Sequence, residues 1–108
     1  MPNTLKRFRA SAFLRQHGGC IYCHKPMWLS DPVNFAVEQK LTVKQALRLQ
    51  CTAEHLSARK NGGGNTAANI AAACLFCNLH RHKRKAELTP EQFGVHVRTR
   101  MARGGWHP

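Results

Sequence analysis

Cys20-Ile21-Tyr22-Cys23 and Cys74-Leu75-Phe76-Cys77 repeat one spacing at the two ends of the chain's middle section. Each Cys-x-x-Cys turn offers two thiolates from one tight loop, and two such turns supply the four ligands of a tetrahedral structural zinc site with little strain. The competing reading is a pair of redox turns or free buried thiols, which needs no matching second pair. The long segment between the turns leaves room for a working module, and at its centre lies Ala53-Glu54-His55-Leu56, a carboxylate beside an imidazole. The fifth cysteine, Cys51, has no partner in this scheme and reads as a small buried apolar residue. His24 and His80, next to the two turns, are alternative nitrogen donors.

A chain of 108 residues forms one small domain, near the size at which a hydrophobic core alone gives modest stability, so a metal cross-link is expected to matter. Seventeen Lys and Arg against five Asp and Glu give a formal net charge of +12, with seven His uncounted. That balance favours a polyanionic partner, nucleic acid first and an anionic membrane surface second. No run approaches the roughly 20 apolar residues of a membrane span. Lys6, Arg7 and Arg9 are not followed by an unbroken apolar core or cleavage site, so no signal peptide is expected.

The spacing predicts an N-terminal helix over about 4–17, capped by Thr4, with Leu5, Phe8, Ala12 and Phe13 turned inward and Gly18-Gly19 ending it. Trp28 to Pro32 reads as loop, and Val33 to Gln39 fits no single element. Thr42 with Gln45 forms a capping box for a short helix through Leu49; residues 33–49 read as an insertion. Cys51 to Leu56 is an expected strand, Ser57 to Thr66 a flexible glycine-rich loop, and Asn69 to Ala73 a return strand. Helix propensity rises from Leu75 through Glu87. Thr89-Pro90 starts a final helix over about 90–103, with Phe93, Val97 and Met101 on one face. The core module is thus about 18–87 within a single domain spanning 1–108.

Cys20, Cys23, Glu54, His55, Gly62 to Gly64, Asn69, Cys74, Cys77 and Asn78 together resemble the HNH endonucleases, the ββα-metal group, over roughly Gly18 to Lys85. The departure is Glu54, where that family more often has Asp. The resemblance implies an α+β fold, a small zinc-stapled ββα-metal module with flanking helices. It also implies a metal-dependent endonuclease hydrolysing DNA phosphodiester bonds, with Zn²⁺ structural and Mg²⁺ or Mn²⁺ catalytic. By similarity His55 is the general base, Glu54 and Asn78 bind the catalytic ion, and Asn69 ties the loop so that His55 points inward. His82 lies four residues after Asn78, on the same helical face. That spacing is similar to the metal-binding histidines of colicin-type nucleases, so His82 is a candidate third ligand, which would also suit Ni²⁺.

Arg59, Lys60, Arg81, Lys83, Arg84 and Lys85 are candidate phosphate contacts on a DNA-facing side, giving affinity and salt dependence but little sequence choice. Trp28 and Trp106 are candidate stacking residues, with packing the better expectation for Trp28. The expected partner is double-stranded DNA, with no membrane, in a monomer or weak homodimer. The resemblance suggests a bacterial or phage protein of the cytoplasm. Two other classes fit the same sequence: a non-catalytic zinc-dependent nucleic-acid-binding module, and a partner-binding zinc adaptor.

Overall fold

The computed structural model describes residues 3–108. At its centre β1 (Cys51–His55) pairs antiparallel with β2 (Ile70–Cys74), in a register that sets Cys51 opposite Cys74 and His55 opposite Ile70. The strand order and the sequence order agree, so the pair is a hairpin closed by the loop 56–69. Alanine is a poor strand former, yet β2 reads Ile-Ala-Ala-Ala-Cys and is buried along its whole length. The cause is tertiary: helices cover both faces of the hairpin, and small side chains let them approach.

The helix α4 (Leu75–Lys83) follows β2 directly and covers the face that carries Thr52 and Glu54. The helix α1 (Thr4–Arg15) covers the other face, its Arg9 lining one pocket with Cys51 and Ala53. Hairpin and α4 form the ββα module, and the fold is α+β. The cap of α1 is Asn3, whose Oδ1 accepts from the amide of Leu5 at 2.8 Å, and not Thr4 as the sequence suggested. The helix stops at Arg15, where His17 and Gly18 turn through positive φ.

Gln16 joins this helix end to the sheet. Its amide accepts from the backbone N–H of Ala72 (3.0 Å) and donates to the carbonyls of Ala72 and Gly19 (both 2.8 Å). Ala72 is thereby satisfied on the open edge of β2, which would otherwise be left with unpaired buried polar groups. Ile21 N also donates to Ala72 O at 3.0 Å, so the first cysteine turn is laid along the same edge. Gln16→Ala is therefore expected to cost about 1–3 kcal/mol, the penalty of orphaning a buried amide. Urea unfolding of the zinc-loaded variant checks this; a loss below about 0.5 kcal/mol would mean that water replaces the side chain.

The ambiguous stretch after Trp28 is helical: α2 (Pro32–Gln39) starts on the Asp31 cap with Pro at its first position and ends at Lys40 in the left-handed region. The helix α3 (Val43–Leu47) carries the expected Thr42–Gln45 capping box. Trp28 packs, donating through Nε1 to Ala46 O at 2.7 Å. The α4 helix is shorter than its propensity suggested, ending at Lys83 with Arg84 extended, and Arg81 Nη2 donates to the carbonyl of Leu88 at 3.2 Å. The helix α5 (Pro90–Ala102) begins on the Thr89–Gln92 capping box and buries Phe93 and Val97 completely, with Met101 half-buried. No helix among the described residues is long and apolar enough to cross a membrane.

Candidate metal and active site

The two cysteine turns meet. Ligand atoms of Cys20, Cys23, Cys74 and Cys77 all lie within 4.8 Å of one another and all four residues are buried. The Sγ atoms of Cys23 and Cys74 are 3.9 Å apart, close to the roughly 3.8 Å edge of a tetrahedron with Zn–S bonds of about 2.3 Å. All five cysteines are free thiols. Backbone amides of Tyr22 and Cys74 donate to Cys20 Sγ at 3.4 and 3.3 Å, and Cys77 N donates to Cys74 Sγ at 3.4 Å. Cys74 is the N-cap of α4, its Sγ accepting from the first turn of that helix. The set can hold a structural zinc ion.

The alternatives fall away. His24 is exposed, and His80 stacks on Phe76 while its Nδ1 meets Phe76 O at 2.8 Å. Cys51 is buried at the start of β1, and burial pushes its thiol up to about 11. Trp106, read from sequence as a candidate base-stacking residue, is packed edge-on against Phe76 and donates through Nε1 to Cys77 Sγ at 3.3 Å. Its indole is committed to the cysteine cluster.

Glu54 is fully buried. Its Oε2 accepts from the Tyr22 hydroxyl at 2.5 Å and from Arg81 Nη1 at 3.0 Å; its Oε1 lies 2.7 Å from His82 Nε2. Burial, then the neighbouring Glu54 charge, pushes the Tyr22 phenol well above its ordinary value, so the hydroxyl keeps its proton and donates. Arg81 is a correction to the sequence reading. It is 4 % exposed and so cannot belong to a DNA-facing surface. Besides Glu54 it binds the carbonyls of His55 and Leu56, both at 2.9 Å, and of Leu88 at 3.2 Å. A carboxylate enclosed by an arginine is the way a buried acid avoids an uncompensated charge.

Asn78 anchors its amide nitrogen on Thr52 Oγ1 (3.0 Å) and Ala53 O (3.2 Å), and its amide oxygen has no donor among the described residues. Asn78, Arg81 and His82 thus form one stripe of α4 facing Glu54. The 2.7 Å Oε1–Nε2 contact is a hydrogen bond, and its length is also near the roughly 2.9 Å between adjacent ligands of an octahedral ion held at about 2.0–2.1 Å. Carboxylate, imidazole and amide oxygen also suit Mg²⁺ or Mn²⁺ by donor type. Among the described residues, the four cysteines are nevertheless the one group of three or more His, Cys, Asp or Glu side chains drawn together this closely.

His55 ends β1, half-buried, with Nε2 2.8 Å from Asn65 Oδ1. The orienting partner is an asparagine side chain from the glycine loop. Asn69 staples that loop shut: its Oδ1 accepts from Ser57 N (2.8 Å) and its Nδ2 donates to the carbonyls of Ser57 (3.1 Å) and Gly64 (3.0 Å). The turn also requires its glycines. Gly62 has φ +87°, and a Cβ on Gly63 would lie 1.7 Å from Ser57 O. Asn69 itself sits in a one-turn 3₁₀ helix, Ala67–Asn69, and β2 begins one residue later.

An open cleft of about 310 Å³ is lined by Glu54, His55, Ala58, Arg59, Lys60, Asn78 and His82. Arg59, Lys60, Lys83, Arg84 and Lys85 are exposed; Lys60 Nζ is 3.4 Å from Glu87, a surface pair of small worth. Sequence reasoning missed Tyr22, Arg81 as a buried partner, and Asn65. A signal existed for Arg81. It lies three residues after Asn78, on the same face as His82, so the spacing that selected one also selects the other.

A sequence model of the HNH endonuclease family matches residues 20–84, more than half of the chain, from the first ligand of one cysteine turn to the end of α4. No curated protein and no solved structure is significantly similar to the chain. The matched segment contains both cysteine turns, the hairpin with Glu54 and His55, and the helix with Asn78 and His82. The chain therefore belongs to the HNH endonuclease family.

Proposed function

We propose that this protein is a metal-dependent endonuclease that hydrolyses phosphodiester bonds of double-stranded DNA. The observation that carries the reading is the meeting of His55 with the Glu54–His82 pair and Asn78 at one cleft, flanked by Arg59 and Lys60. His55, its Nε2 at Asn65, acts as general base and takes the proton from the attacking water. Asn69 holds the loop that carries Asn65, so the imidazole is fixed before substrate arrives. Glu54 Oε1, His82 Nε2 and the Asn78 amide oxygen are the atoms that would hold one divalent ion, Mg²⁺ or Mn²⁺, with Ni²⁺ compatible with the imidazole. When bound, such an ion supplies Lewis-acid stabilisation of the phosphate and of the departing oxygen. Arg59, Lys60, Lys83, Arg84 and Lys85 contact flanking phosphates. Zinc on the four cysteines is structural.

Supercoiled plasmid with Mg²⁺ or Mn²⁺, and with EDTA as control, tests the reading. Metal-dependent conversion to nicked or linear DNA is expected. One observation favours the alternative of a non-catalytic nucleic-acid-binding module, namely the enclosure of Glu54 by three protein partners. A salt-sensitive shift in plasmid mobility without cutting, with either ion, would establish that alternative instead.

A further inference from the structure

Resting on Glu54 as an ion ligand, we propose that Tyr22 and Arg81 are positioning residues that grip Oε2 of this carboxylate and direct Oε1 toward His82 at the cleft. Glu54 stands where the resembled family more often has aspartate, so its arm carries one more rotatable bond. Left alone, that arm could offer either oxygen in several rotamers. Here it cannot. The Tyr22 hydroxyl at 2.5 Å and Arg81 Nη1 at 3.0 Å both bind Oε2, which turns Oε1 to its hydrogen-bond partner His82 Nε2 at 2.7 Å.

Neither gripping group is itself mobile. Tyr22 lies inside the first cysteine turn, between Cys20 and Cys23, and its ring stands edge-on to Phe93 with centroids 5.0 Å apart. Arg81 is fixed by the carbonyls of His55, Leu56 and Leu88, so it is a bracket and not a loose counter-ion. The cysteine cluster thus sets the catalytic carboxylate through one side chain. Arg81 also neutralises Glu54 when no ion is present, which makes a buried carboxylate tolerable between binding events. Outer partners of metal ligands elsewhere act this way, and their loss typically weakens metal affinity about 10–100-fold.

The test is Mn²⁺ binding to the full, zinc-loaded chain, followed by the electron paramagnetic resonance of free Mn²⁺, for wild type, Tyr22→Phe and Glu54→Gln. Tyr22→Phe keeps the ring against Phe93 and removes one hydrogen bond. Its Mn²⁺ dissociation constant is expected to rise about tenfold or more, with zinc content unchanged and plasmid nicking recovered at higher Mn²⁺. A purely structural role for Tyr22 would lower the melting temperature and leave Mn²⁺ affinity alone. Unchanged affinity in folded Tyr22→Phe, with affinity lost in Glu54→Gln, overturns the positioning role and leaves Glu54 as a ligand. Equal affinity in wild type and Glu54→Gln overturns the ligand reading and the positioning role with it. Should Tyr22→Phe fail to fold, Arg81→Lys under the same titration decides: weaker Mn²⁺ binding supports the bracket, and wild-type binding overturns it.

Discussion

His55→Ala is expected to lower the rate of plasmid nicking by about 10²–10⁴-fold, the usual contribution of a positioned general acid or base. At 1.36 kcal/mol per factor of ten, that is about 2.7–5.4 kcal/mol of transition-state stabilisation. Stability should change little, because His55 is half-buried at the end of β1 and its imidazole has one side-chain partner, Asn65. Its backbone is held separately by Arg81 on the carbonyl and by pairing with Ile70. Plasmid binding should also persist, since the exposed cations of the cleft and of the chain after α4 are untouched. Nicking rates measured beside gel mobility and melting temperature separate these effects. If His55→Ala nicks at the wild-type rate, another group takes the proton and the role given to His55 is wrong.

What could be read from the sequence was what local rules write. Thr42–Gln45 and Thr89–Gln92 are capping boxes within one turn, and both appear as expected. The hairpin was legible for a different reason: two cysteine turns can share an ion only if the chain between them returns. The insertion was harder. Val33 and Val37 of α2 stay 60 % and 73 % exposed, so apolar periodicity pointed at no core, and the informative signal was the Asp31-Pro32 start. The environment of Glu54 was legible only in part: the Asn78–His82 spacing pointed to α4, and nothing local pointed to Tyr22. Its partners come from the first turn and from α4, brought in by packing on a hairpin whose register no local rule supplies. Gln16 shows the same limit, reading as an ordinary helix-end residue until Ala72, fifty-six positions later, is laid beside it.

Removing zinc is expected to abolish the cooperative fold. Few large side chains are fully buried: Tyr22, Phe93, Ile70, Glu54 and Val97 lead, and four of the remaining deeply buried groups are cysteines, three of them in the metal set. Much of the rest of the core is alanine, which contributes little apolar area. A domain of this size has about 5–15 kcal/mol of net stability, whereas structural zinc binding in zinc-finger peptides is worth about 10–16 kcal/mol. The ion's contribution is of the same order as the whole margin. Without it, four thiols crowded within 4.8 Å must share protons in a buried space; Cys23 is pushed down, chiefly by its hydrogen bond with Cys20, while the same kind of contact pushes Cys74 up. Purified protein should contain about one zinc per chain, and chelation under reducing conditions should erase the sigmoidal thermal transition in circular dichroism. Because each ligand must lose a proton to bind, stability should fall as pH is lowered into the range where protons displace the metal. Cys77→Ser should act in the same direction, taking away a ligand and the acceptor of the Trp106 N–H together. A chelated protein that melts cooperatively at the same temperature as the zinc form would show that helices packed on a hairpin suffice. In that case Tyr22 would owe its position to Phe93 and not to the cysteine turn in which it sits.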